Sequence, residues 1–136
     1  MKRKVTITAL LTTKSEESEE TIESRYDGTA SEKNGKYLLV YDEEENEGKS
    51  HLLLSKERAD IRRNGLVKSR LILEEGLVHN CDYSTPYGIA DMMVTTGFYS
   101  FSVGEDGGIL KAEYDISIAG TFLSSSKMVL RFKYEN

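Results

Sequence analysis

A single cysteine, Cys81, stands in this chain of 136 residues, so no disulfide can form within it. The core has to hold the fold, and a lone thiol fits a reducing compartment, which makes the cytoplasm the expected location. Tryptophan is absent, proline occurs once, at Pro86, and histidine twice, at His51 and His79. Two histidines without a CxxC or HExxH pattern do not make a zinc motif, and no metal is expected. No apolar run approaches the roughly 20 residues that a membrane-spanning helix needs. The start, Met1-Lys2-Arg3-Lys4, is basic like the head of a secretion signal. However, Val5 to Thr13 is interrupted by threonines, leads into Lys14 and a glutamate cluster, and offers no cleavage site, so it reads as a strand. Positive charge is in deficit, with 18 Lys and Arg against 23 Asp and Glu. A duplex nucleic-acid partner needs concentrated cations and is not expected. Arg58, Arg62, Lys68 and Arg70 can share an outer face, but no aromatic stripe accompanies them to stack single-stranded bases.

What the chain has is alternation. Val5, Ile7, Ala9 and Leu11 fall on one side and Thr6, Thr8 and Leu10 on the other, the two-residue period of a strand. A second run sets Ile22, Ser24, Tyr26, Gly28 and Ala30 against Thr21, Glu23, Arg25, Asp27 and Thr29. Asn34-Gly35 then marks a tight hairpin, because both residues tolerate the positive φ of a type I′ turn. Further runs follow over Lys36 to Tyr41, His51 to Ser55 and Arg58 to Arg63. A second Asn-Gly, Asn64-Gly65, turns the chain into Leu66 to Leu73, and Glu74-Glu75-Gly76 turns it into Leu77 to Ser84. Tyr87 to Val103 is a long extended candidate with a bulge or bend at Gly97. Asp106-Gly107-Gly108 leads into Ile109 to Ala119, and Lys127 to Tyr134 closes the series. Leu54 to Ile61 has room for one helical turn. The acidic stretches Glu16 to Glu20 and Asp42 to Glu47 read as solvated loops. About ten short-linked strands predict an all-β fold, residues 1–136 forming one closed antiparallel up-and-down barrel, since closure removes the edges that invite aggregation.

The same period sorts the interior. Leu110, Ala112, Tyr114, Ile116 and Ile118 face one way, as do Met128, Leu130, Phe132 and Tyr134. Arg63 shares a face with Ala59 and Ile61, so it points inward at a strand end. Leu77, His79, Cys81 and Tyr83 also share a face. A patch of Arg63, His79, Cys81 and Tyr83, joined by Tyr26, is polar for a core, and buried polar groups need partners. Arg63, His79, Tyr83, Tyr26 and Tyr114 are therefore the candidate ligand-binding residues, with Arg63 suited to an anionic group and the tyrosines to a wall. The competing reading has Arg63 capping the barrel end against loop carbonyls.

No catalytic residue is assigned. His79 and Cys81 stand two apart on one strand face, with bases about 7 Å apart, so a nucleophile pair is not favoured. The acidic loop from Asp42 fails the calcium pattern, since Glu47 and Leu53 occupy the positions that need glycine and glutamate. Asp106-Gly107-Gly108 lacks the lysine and helix of a phosphate loop, and Ser124-Ser125-Ser126 lacks the G-x-S-x-G context. No cofactor is expected.

Three stretches carry a family resemblance: Ile61-Arg62-Arg63-Asn64-Gly65; Tyr83-Ser84-Thr85-Pro86-Tyr87-Gly88 followed by Met92 and Thr95; and Gly107-Gly108 leading into Ile109 to Tyr114. In this order they resemble the YwiB-like family of small uncharacterised bacterial proteins, over Val5 to Tyr134. The resemblance implies a lipocalin-like (calycin) barrel and brings no activity, substrate or cofactor with it. Pro86 fixes its own φ and holds Thr85 extended, so that segment is expected to form a rigid barrel corner. The expected function is a non-enzymatic barrel that binds a small apolar or anionic ligand. The alternative is a structural or protein-interaction domain with a filled core.

Overall fold

The computed structural model describes residues 2–136. Its strands are β1 (Lys2–Lys14), β2 (Glu19–Lys33), β3 (Lys36–Glu43), β4 (Gly48–Leu54), β5 (Ala59–Asn64), β6 (Lys68–Leu73), β7 (Val78–Thr85), β8 (Gly88–Gly104), β9 (Gly107–Ile118) and β10 (Thr121–Tyr134). They close into one barrel in the order β1-β10-β9-β8-β7-β6-β5-β4-β3-β2. Every neighbour in sequence is an antiparallel neighbour in space, and β10 closes on β1. This is the all-β, up-and-down closed barrel that the alternation predicts. The turns β1–β2, β3–β4, β5–β6, β7–β8 and β9–β10 therefore lie at one end, here the upper rim, and the other connections lie at the lower rim. Among the described residues no helix is long and apolar enough to cross a membrane.

The two-residue period places the core as expected. Val5, Ile7, Leu39, Leu52, Leu54, Leu73, Val94 and Leu110 are fully buried, and Leu130 and Phe132 nearly so. Register joins them across strands: Ile7 faces Phe132, Leu52 faces Ile61, and Leu110 faces both Leu130 and Phe101. Burying each such side chain is worth about 1.5–3 kcal/mol. Aromatic rings fill the lower part, with Tyr37 at 5.8 Å from Phe101 and 5.9 Å from Phe132. Arg3 lies 3.7 Å over the ring of Tyr134.

Turn chemistry explains part of the sequence directly. Asn34 and Gly35 both take positive φ, 55° and 79°, as the type I′ reading requires. Asn64-Gly65 does not repeat it, for neither residue takes a left-handed φ. Glycine is needed there for space, because a Cβ on Gly65 would collide with the Asn46 carbonyl. The register of β8 against β9 shifts between Thr96 and Phe98, so Gly97 is a bulge as anticipated. Leu54 to Ile61 holds no helical turn. Ser55 instead closes a tight strand-to-strand turn by accepting and donating bonds with Arg58. Pro86 and Tyr87 are the two tip residues of the β7–β8 hairpin, exposed above the upper rim rather than a corner in the wall.

One ladder is thin. β6 and β7 pair only at Lys68–Ser84 and Ser69–Tyr83, and below that level the strands part. There Gly76 donates to the Thr96 carbonyl and Thr96 donates to Leu77, so the start of β7 is held by β8 instead.

Candidate functional site: the upper mouth

Register alone draws a row of inward residues below the upper rim. Gly28 faces Tyr41, Tyr41 faces Ser50, Ser50 faces Arg63, Arg63 faces Ser69, and Ser69 faces Tyr83. A band that joins six strands is thus polar where the level below is aliphatic. Tyr26, one pleat above Gly28, stacks on Tyr41 with centroids 4.2 Å apart and planes at 20°.

Arg63 is the centre of this band, and its partner is Glu43. Nε donates to Oε1 at 3.1 Å and Nη2 to Oε2 at 2.9 Å, the two-point geometry of a strong guanidinium–carboxylate pair. Ser50 Oγ donates to the same carboxylate at 3.2 Å and Asn46 Nδ2 at 3.4 Å. The Glu43 side chain is 14% exposed and that of Arg63 35%. Burial would by itself lower the Arg63 pKa, but the bonds and charge of Glu43 outweigh it and raise it. The Tyr41 hydroxyl is pushed up by burial, against the opposing effect of the nearby Ser50 hydroxyl.

Glu43 corrects the reading of Asp42 to Glu47 as a solvated loop. It ends β3 and points inward, two residues beyond Tyr41, where simple extension of the alternation would have placed it. Asn46 is also buried. It ties two rim loops together by accepting from Val67 N at 2.6 Å and donating to the Val67 carbonyl at 2.9 Å. Arg63 is therefore neutralised by a carboxylate. It neither stands free for an anion nor caps loop carbonyls.

Of the five candidates, Arg63, Tyr83 and Tyr26 come together with Tyr41 and Ser50, which the sequence reading missed. His79 does not join them. It shares the inward face of β7, but four residues nearer the lower rim, where its Nε2 lies 3.1 Å from Glu74 Oε1. Tyr114 is buried apart from the band, and burial pushes its pKa to about 12 against the opposing effect of the Ser126 hydroxyl. The Cys81 thiol is buried, which raises its pKa, and its contact with His79 is to the backbone carbonyl at 3.9 Å rather than to the ring.

The two ends of the interior differ. Toward the lower rim Val5, Leu54, Leu73, Leu110 and Phe132 are buried, while Tyr37, His79 and Tyr134 are half-buried. Toward the upper rim Leu11, Tyr26, Tyr41, Tyr83, Ile116, Ile118 and Met128 are only half-buried, although the strand period aims each of them inward. Apolar and phenolic side chains thus line an upper mouth that solvent reaches, above the buried middle of the core.

Residues 5–130 match a domain of unknown function, DUF1934. The fold matches the crystal structure of the ywiB protein from Bacillus subtilis with a TM-score of 0.87 at 20% identity, over 99% of this chain and 94% of that one. No curated protein matches the sequence.

Proposed function

Since the chain belongs to the DUF1934 family, whose description names no activity, we propose that its barrel is a non-enzymatic binder of a small ligand held at the upper mouth. The half-burial of inward Leu11, Ile116, Ile118 and Met128 carries this reading. Apolar groups aimed into a barrel are normally covered, and a guest would cover them. Tyr26, Tyr41 and Tyr83 would form the polar side of the wall. Because Glu43 already neutralises Arg63, the guest that fits best is uncharged and largely apolar, with a hydroxyl or carbonyl for the tyrosines. A buried, unpaired thiol suits a reducing cytoplasm, the location we adopt. Thermal-shift screening of the purified protein against neutral apolar metabolites tests the proposal. Hits should raise Tm and lose affinity at least tenfold in Tyr83→Ala. Absence of any hit, with upper-mouth NMR signals unmoved by the whole library, would reject it.

A second reading keeps the barrel as a scaffold with no guest. It is favoured by the Arg63–Glu43 pair, which satisfies the inner band without outside help. The same screen separates the two.

A further inference from the structure

The outer wall carries a site of different chemistry. Across β4, β5 and β6 the register sets His51 opposite Arg62 and Arg62 opposite Arg70. Two guanidiniums directly opposite on one face repel. Asp60, one pleat lower on β5, answers them. Arg70 donates to it through Nε at 3.1 Å and Nη2 at 2.8 Å, whereas Arg62 reaches it only at 3.5 Å through both nitrogens. Asp60 is 8% exposed although it faces out of the barrel. It sits between Leu53 and Ile72 in cross-strand register. One carboxylate thus saturates Arg70 and merely steadies Arg62, whose side chain is 59% exposed. Asp82 lies on the Arg70 side of the same wall. Lys68, diagonal to Arg62, makes no ion pair among the described residues. Beside these cations Leu38 and Leu53 face each other across β3 and β4 and leave an apolar strip. A groove of about 770 Å³ runs over strip and cations together. That volume lies within the range of small-molecule sites.

We propose that this groove binds a small organic oxyanion, its carboxylate or phosphate held by Arg62 and Lys68 and its apolar body laid on Leu38 and Leu53. Asp60 is a positioning residue. It holds the two arginines side by side against their repulsion and leaves one cation's worth of charge unanswered. A flexible ammonium cluster would bind an anion anywhere along the wall, whereas pinned guanidiniums fix where the head group sits. The apolar strip sets polarity along the groove, with the head toward β5–β6 and the tail toward β3–β4.

Backbone-amide NMR titration of the full chain tests this with four probes: octanoate, octyl phosphate, inorganic phosphate and octanol. Octanoate and octyl phosphate should shift the amides of Leu53, Arg62 and Arg70. Their affinity should fall at least tenfold in Arg62→Met, and several-fold when salt rises from 50 to 500 mM. The stronger of the two identifies the head group. Octanol should leave these amides unmoved, and inorganic phosphate should bind at least tenfold more weakly than octyl phosphate. Three results would overturn the proposal. One is shifts confined to the upper mouth. Another is unchanged binding in an Arg62→Met protein whose amide spectrum shows it folded. The last is equal affinity for inorganic and octyl phosphate, which would remove the apolar half of the site.

Discussion

The Arg63–Glu43 pair should behave as a coupled unit, and a double-mutant cycle reads that coupling. Breaking a fully buried ion pair by removing one partner costs about 3–5 kcal/mol. Here the cost is scaled by exposure. Glu43→Gln leaves a guanidinium that is 35% exposed and can turn toward solvent, so about 2 kcal/mol is expected. Arg63→Met strands the better-buried carboxylate, 14% exposed, with only Ser50 and Asn46 left to donate to it. About 3 kcal/mol is expected there. In the double variant neither stranded charge remains, so its cost should be about 2–3 kcal/mol, well short of the sum, giving a coupling of about 2–3 kcal/mol. Urea unfolding followed by circular dichroism is the assay. Each single change should move the midpoint by about 1–2 M at an unchanged slope. Additivity to within about 0.5 kcal/mol would show that the two side chains do not depend on each other, and the description of the inner band would be wrong.

Burial alone would raise the Asp60 carboxyl, but the Arg70 and Arg62 bonds outweigh it and lower its pKa. A group depressed in the fold stabilises above its unfolded value near 4 and loses that contribution as pH falls through its folded value. Asp60→Asn should therefore flatten the fall of Tm below about pH 4, and an unaltered acid limb would contradict the pairing. Tyr114 has the opposite sign. Held neutral up to about 12, it stabilises fully below its unfolded value of about 10 and gives this up as pH climbs toward the folded value. Tyr114→Phe should make the alkaline decline shallower, as scanning calorimetry across that range would reveal. Thr96 Oγ1 is buried without a hydrogen-bond partner among the described residues. Thr96→Val should accordingly be neutral or stabilising by up to about 1 kcal/mol, and a clear loss in thermal unfolding would mean the hydroxyl is used. Asn46→Ala removes both bonds to Val67 and should cost about 1–3 kcal/mol in urea. Faster hydrogen exchange is then expected at Leu66 and Val67.

The barrel could be read from the chain because its signal is local. Val5-Ile7, Leu110-Ala112-Tyr114 and Leu130-Phe132 announce their faces within a few residues. The inward aim of Arg63, Tyr26 and Tyr83 was legible for the same reason. Partnership is not local. Glu43 lies twenty residues from Arg63 in the chain and hides in a run of acids that looks like solvent-exposed loop. Only the register of β3 on β4 and β4 on β5 brings the two together. His79 went astray because a strand face gives direction and not height. It shares a side with Tyr83 but stands at another level, beside Glu74. Asn64-Gly65 shows the same limit in turn chemistry. The dipeptide is identical to Asn34-Gly35, yet one is chosen for backbone angle and the other for the space beside Asn46.

A hoop gives way at its weakest stave. Every other neighbouring pair in this barrel shares six or more rungs, whereas β6 and β7 share two. Few backbone bonds must break there before the wall parts, so spontaneous opening should begin along this line and not at the termini-bearing β1–β10 joint. Such a slit would admit solvent, or a guest, sideways to Cys81 and the middle of the interior, without any movement of the rims.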